Sequence, residues 1–258
     1  MRYCSYEYSM ILKSIPIVGA IRSFMTAWLA IATLSGCTSG LDDRISRAYA
    51  LARHPTEPNK DRIEALLKDE DRDVRATALV AMGSIDAARA KRLAIEALSD
   101  PDGMVRAVAV SFCSDGADPE TIGIITARAT DDPVWQVRTR AVEAIASSQD
   151  PAVRQVFVRA LSDSVRHVRR AALRAGIEHP GLLPVDLLNT LVVSDPDWEN
   201  RVEAAVALGT SNDVAAYAGL DAALSDPNEF VRTTAAGELR ELHRAGVSRP
   251  AEIPAAGV

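Results

Sequence analysis

The sequence predicts an all-α fold, an α-solenoid of about six stacked helical hairpins led by a half-repeat cap, and three observations carry that expectation. First, one pattern recurs along most of the chain. Residues 98–106 read LSDPDGMVR and residues 224–232 read LSDPNEFVR, and the terminal arginine of that stretch returns at Arg75, Arg106, Arg138, Arg169, Arg201 and Arg232, at intervals of 31, 32, 31, 32 and 31 residues. Second, each arginine has an aspartate six residues before it (Asp69, Asp100, Asp132, Asp163, Asp195, Asp226) and an alanine three residues after it (Ala78, Ala109, Ala141, Ala172, Ala204, Ala235). Valine directly precedes the arginine in five units, with Asn200 the exception. Third, the apolar residues are small and fall at helical periods: aromatics make up 5% of the chain, and no run alternates Val, Ile and Thr as a strand would.

Each element follows in order. The segment ISRAYALARHP (45–55) matches RATALVAMG with Arg47 in the arginine place, so it reads as half a repeat capping the front. Within a full unit the aspartate, followed by proline in four units, signals a helix start with proline in the first turn. The helix that follows buries the alanine and the residue seven past the arginine: Met82, Cys113, Ile145, Gly176, Leu208 or Leu239. Another helix runs before the aspartate. In the fourth unit Val153, Val156, Phe157, Ala160 and Leu161 share one of its faces. Such a hairpin cannot bury its own apolar side, so units must stack, with the alanines where neighbouring helices approach closest. A buried arginine needs an acid, because an unpaired one costs several kcal/mol. The aspartate is the only acid recurring in step, so the spacing predicts a ladder of Asp–Arg pairs. Whether each arginine reaches its own aspartate or the next unit's stays open.

This D-x5-R pattern, present in all six units, resembles the HEAT repeat, especially its short bilin-lyase-like variety. The resemblance spans about residues 58–245 and implies a right-handed α-solenoid of helical hairpins, with an aspartate in the turn and an arginine early in the second helix.

The front of the chain does not belong to that fold. Lys13 and Arg22 precede Ser23–Leu34, an uncharged and mostly apolar run too short to span a bilayer as a helix. It ends in Leu34-Ser35-Gly36-Cys37, which resembles the lipobox of bacterial lipoproteins. The resemblance implies cleavage after Gly36, diacylglycerol on the Cys37 sulfur, and an acylated new amino terminus. Domains are therefore expected at 1–36 (cleaved signal), 37–40 (lipid-anchored linker), 41–246 (repeat solenoid) and 247–258 (disordered tail). Three linker residues span about 10 Å, so the fold would lie against the membrane. Initiation at Met10 would give a signal of more ordinary length. Thr38 after the lipidated cysteine implies outer-membrane sorting, on the periplasmic side, in a Gram-negative envelope. In other envelopes the site is the outer face of the cell membrane. Removing residues 1–36 takes Arg2, Lys13, Arg22 and Glu7 from 29 basic and 35 acidic residues, leaving 26 and 34, a net charge of −8. Cys4 would leave with the signal and Cys37 carry lipid. Cys113 would then be the last thiol, so packing rather than a disulfide must hold the fold.

Function is less legible. A net charge of −6 for the whole chain argues against nucleic acid as a partner. The sequence shows no nucleophile motif, no Gly-rich phosphate loop, and no zinc-type spacing among His54, His167, His179 and His243. No catalytic residue, metal, cofactor or small-molecule substrate is therefore expected, and Cys113 reads as core. The expected role is a membrane-anchored scaffold or adaptor binding another envelope protein through its repeat surface. Candidate contact residues are Arg166, Arg170 and Arg174, from a stretch with six arginines and one acid, and Trp135 and Trp198, each three residues before a repeat arginine. A solvated face for the arginines, and packing on the adjacent turn for the tryptophans, are the plainer readings. Two other functions stay open: a lyase-like enzyme on the same repeat type, and a cytosolic regulator whose signal is spurious.

Overall fold

Thirteen helices and no strands make up the computed structural model over the residues it describes, 40–113, 118–148 and 150–249. The expected signal segment, the lipidation residue Cys37 and residues 250–258 lie outside the described residues. The architecture is an α-solenoid, as the repeat period predicts. It divides into two units, Met1–Glu96 and Ala97–Val258.

In the first unit α1 (Gly40–Ala52) packs on α2 (Glu57–Leu66) and α3 (Arg72–Ile85), and α4 (Ala87–Ala97) ends at the unit boundary. α1 starts at Gly40, one residue before the expected solenoid boundary. Ala48, Ile63, Val74, Ala78, Leu79, Met82 and Ala90 form the core.

The second unit opens on α5 (Gly103–Cys113) and continues as four hairpins. These pair α6 (Pro119–Asp131) with α7 (Trp135–Ala144), α8 (Pro151–Ala160) with α9 (Arg166–Glu178), α10 (Val185–Ser194) with α11 (Trp198–Thr210), and α12 (Ala216–Ala223) with α13 (Glu229–Arg244). The second helices pack in series, α5 on α7, α7 on α9, α9 on α11 and α11 on α13, while first helices pack α6 on α8 and α10 on α12. Two helical layers result, with the core between them.

The alanines explain why helices can stack so regularly. Ala78, Ala109, Ala141, Ala172, Ala204 and Ala235 are all fully buried. A methyl group at this point lets neighbouring backbones close in, where a longer side chain would hold them apart. Val153, Val156, Phe157, Ala160 and Leu161 are buried on one face of the fourth unit's first helix and the turn after it, as the spacing predicts. Cys113 is likewise fully buried. At the same register Gly176 lies so close to Leu183 that an added Cβ would sit 2.4 Å from Leu183 Cδ1.

The helix starts differ from expectation in one respect. The repeat aspartate stands two residues ahead of the N-cap and the proline lies before the helix, not in its first turn. Asp71, Asp197 and Asn228 supply side-chain caps at that later position, while Val134 and Val165 occupy it without one. The aspartate instead bends the chain. Its carboxylate accepts the N–H two residues on, as in Asp132 from Val134 (3.0 Å), Asp163 from Val165 (2.8 Å), Asp195 from Asp197 (2.9 Å) and Asp226 from Asn228 (2.8 Å).

Candidate functional site

The guanidinium of each repeat arginine is planar, with separate edges that can serve different acceptors at once. In the second unit every inner arginine uses two. Nη1 turns back to its own corner: Arg106 to Asp100 O, Arg138 to Asp132 O, Arg169 to Asp163 O and Arg201 to Asp195 O, each at 2.8 Å. Nε and Nη2 reach forward and grip both oxygens of the next unit's aspartate. Arg106 donates to Asp132 at 2.8 and 2.7 Å, Arg138 to Asp163 at 2.7 and 2.9 Å, Arg169 to Asp195 at 2.7 and 2.8 Å, and Arg201 to Asp226 at 2.7 and 3.0 Å. The question left open by spacing alone has a two-part answer: own backbone carbonyl, neighbour's carboxylate.

In the first unit Arg75 Nη1 bonds Asp69 O at 2.9 Å, and the Asp69 carboxylate takes Arg44 at 2.8 Å. Arg44, not Arg47, therefore enters the ladder from the front half-repeat. It stands 31 residues before Arg75, in period. Arg47 lies one helical turn further and is exposed, 3.8 Å from Asp43. The period held the signal, but the local match to RATALVAMG outweighed it.

Burial and charge set the protonation of the ladder. Burial pushes the Asp132 carboxyl up, but the Arg106 guanidinium and the Val134 N–H outweigh it and hold the group below the usual carboxylate range. Asp163 is depressed in the same way against its own burial, by Arg138 and Val165 N–H. For Asp226 the hydrogen bond from Arg201 dominates. Their partners Arg106, Arg138 and Arg201 are raised in turn, chiefly by those carboxylates. In these three pairs the carboxylate is held in its charged form against the guanidinium.

The candidate contact arginines form a second set of crossings, between α9 and α11. Arg166 Nη1 donates to Asp197 at 2.8 Å, Arg174 Nε to Glu203 at 3.0 Å, and Arg170 to Asp197 and Glu199. The basic stretch is thus offset by acids one unit later, a distance at which a local charge count cannot see them. Arg166 and Arg174 remain more than half exposed. Asn200, the residue that breaks the valine pattern, also has its reason here. It is fully buried, accepts from Arg170 Nε at 3.1 Å, and donates to Arg166 O at 3.1 Å. Sequence reading noted the exception and missed its role. Ser164, Arg166, Arg169, Pro196 and Asp197 line an open depression of about 310 Å³ at this crossing.

The two tryptophans stack on the first turn of the following unit's second helix. Trp135 lies 4.9 Å from His167 and Trp198 lies 5.5 Å from Phe230, ring centre to ring centre and near parallel. The Trp198 pair is the open one: Trp198 is 41% exposed and Phe230 66%. Phe230 was not among the residues singled out by sequence, although its place two residues before a repeat arginine is the same as that of His167. Among the described residues no His/Cys/Asp/Glu group could hold a metal, and no helix is long and apolar enough to cross a membrane.

Residues 59–146 match the family model of HEAT repeats. No curated protein matches the chain in sequence. Among solved structures it is similar to the Escherichia coli protein YibA, at 20% identity over 82% of this chain and 80% of that one, with a TM-score of 0.57. It is also similar to an archaeal HEAT-like repeats protein from Thermococcus onnurineus, at 14% identity over 91% and 100% of the two chains, with a TM-score of 0.51. At such identities the shared property is the fold.

Proposed function

We propose that this α-solenoid, whose residues 59–146 match the family model of HEAT repeats, is a protein-interaction scaffold, held on a bacterial envelope membrane by lipid on Cys37 and without catalysis of its own. The observation that carries the binding reading is the stacked pair Trp198–Phe230, at 41% and 66% exposure, in a chain with few aromatics. Large aromatic side chains left open on a rigid helical edge are the residue type that dominates protein interfaces. The inner repeat arginines of the second unit and the aspartates they reach, by contrast, are engaged with each other in the ladder. The anchor rests on the sequence Leu34-Ser35-Gly36-Cys37 behind its apolar run, and two or more acyl chains give stable membrane attachment.

Two measurements test the two halves separately. Cells fed labelled fatty acid should incorporate it into the chain, and Cys37→Ala should abolish the label. Unlabelled protein in the cytosolic fraction would instead favour the regulator reading. A photo-crosslinking residue at Trp198 should trap one protein partner in intact cells. A chain that traps none there, with turnover in an enzymatic panel, would defeat the scaffold.

A further inference from the structure

The boundary between the hairpin α8–α9 and the hairpin α10–α11 is built unlike its neighbours in both helical layers. In the layer of first helices α6 packs on α8 and α10 on α12, but among the described residues no packing of that extent joins α8 to α10. α8 instead reaches the connection 179–184, where Arg154 Nη1 donates to Gly181 O at 3.0 Å in an exposed bond. In the layer of second helices the ring stacks Trp135–His167 and Trp198–Phe230 close the boundaries on either side. The matching positions here are Arg166 and Glu199, and ions stand in place of rings. Arg166 turns to Asp197, Arg170 to Asp197 and Glu199, and Arg174 to Glu203. These arginines, four residues apart, form one stripe of α9, with Arg166 53% and Arg174 60% exposed. Behind them Asn200 is fully buried where other units bury Val74, Val105, Val137, Val168 or Val231. The depression lined by Ser164, Arg166, Arg169, Pro196 and Asp197 opens the same crossing to solvent.

Two contacts hold the boundary from within. Arg169 grips Asp195 almost free of solvent. Two turns further along α9, Gly176 stands at the position that Met82, Cys113, Ile145 and Leu208 fill in other units, and the buried Leu183 of the connection packs into the notch it leaves. Helical spacing puts Arg169 and Gly176 on one line about 10 Å long, between the arginine stripe and the buried face of Val168, Ala171 and Ala175. We propose that the second unit bends at this boundary about that line, so that the spacing of α8 and α10 changes as the arginine ties tighten or loosen. A joint needs contacts that exchange with water at little cost. Exposed ion pairs do so, because water and salt compete for both partners. The shielded Arg169–Asp195 pair and Leu183 in its notch keep the register during the motion. Tight ties on the arginine side hold the first helices apart, and loosened ties let them close. Ionic surroundings thus set the curvature of this unit, whatever the chain binds.

Distances between spin labels on the full chain in detergent test the joint, with Cys4 and Cys37 changed to serine and the buried Cys113 left unlabelled. One labelled pair, Gln155→Cys on α8 and Thr190→Cys on α10, spans the joint. A second, Thr190→Cys with Ala222→Cys on α12, spans the next boundary, and all three sites are exposed. Raising salt from low ionic strength to about 1 M cuts the screening length to about 3 Å. The mean α8–α10 distance should then shorten by about 2 Å or more and its distribution broaden, while the α10–α12 distance stays in place. Arg166→Gln with Arg174→Gln should give the shortened α8–α10 distance already at low salt, with little further response and an unchanged circular dichroism spectrum. An α8–α10 distance that salt leaves in place or lengthens overturns the inference. So does an α10–α12 distance that moves equally, because the whole unit then flexes and the joint is not special.

Discussion

Replacing Arg169 by alanine tests one of the two most buried pairs of the ladder, the other being Arg106–Asp132. The Arg169 side chain is 9% exposed and the Asp195 side chain 0%, so the pair is nearly free of solvent screening. The substitution removes both forward bonds to Asp195 and the backward bond to Asp163 O. The Asp195 carboxylate would retain the Asp197 N–H at 2.9 Å and a long contact from Asn200 at 3.4 Å. Leaving a buried charge without its partner costs about 3–5 kcal/mol. For a domain of this size that is a loss of roughly 6–20 °C in melting temperature. Circular dichroism of the full chain during heating, repeated in urea, reads it. The cost belongs to the pair, so Arg169→Ala with Asp195→Asn should destabilise by less than the sum of the single changes. The two residues of such a cycle couple by about 1–3 kcal/mol. Arg138→Ala, whose pair is 13% and 14% exposed, should cost less than Arg169→Ala, and Arg232→Ala least. A melting temperature for Arg169→Ala within about 2 °C of the parent, or additive effects in the double variant, would refute the claim that these pairs hold the units together.

Three further outcomes follow from the same geometry. Asp132, Asp163 and Asp226 have folded-state pKa values depressed below their unfolded values, so the stability they contribute is present above the unfolded value of about 3.9 and is lost as pH falls through the folded ones. Melting temperature should therefore drop steeply below about pH 4, and less so in Arg106→Ala, where Asp132 has lost its partner. Ala172→Leu inserts a larger side chain at a fully buried point and should destabilise by about 1–3 kcal/mol, read as a shift of the urea midpoint. Arg44→Ala should cost about 1 kcal/mol, less than the inner ladder because Arg44 is 34% exposed, whereas Arg47→Ala should leave the urea midpoint unchanged.

The period carried most of the architecture into view because stacking identical hairpins repeats identical demands. The arginine needs an acid, the alanine marks close approach, and the valine before the arginine fills the core in every unit that has one. These demands return with the period, so a single chain compared with itself exposes them. What the sequence hid was of another kind. The direction of each Asp–Arg bond depends on where two helices sit across a unit boundary. The same distance concealed the acids that answer Arg166, Arg170 and Arg174, which stand 29–31 residues later in Asp197, Glu199 and Glu203. Arg44 went unseen for the opposite reason: a local resemblance around Arg47 competed with the longer register. Phe230 sits in the duplicated LSDPNEFVR itself, where the matching position in LSDPDGMVR is Met104, and nothing local distinguishes an exposed ring from a buried one.

The strictness of the corner aspartate has a physical cause that separates structure from function in this chain. Asp132 uses every polar atom it has. Its N–H bonds Arg128 O, its O accepts Arg138 Nη1, one carboxylate oxygen takes Arg106 Nη2 and the Val134 N–H, and the other takes Arg106 Nε. Asparagine would put an NH2 where one of those donors arrives, and glutamate would carry the carboxylate a methylene beyond the turn it closes. No other side chain accepts these three bonds from this position, so structure alone accounts for the recurrence of the residue. The regular positions of this protein therefore describe how it stands. Two features depart from that regularity, Asn200 in a valine's place with Arg170 drawn across to it and an aromatic pair open on one edge, while Arg232 keeps to it, its Nη1 turning back to Asp226 O as in the inner repeats.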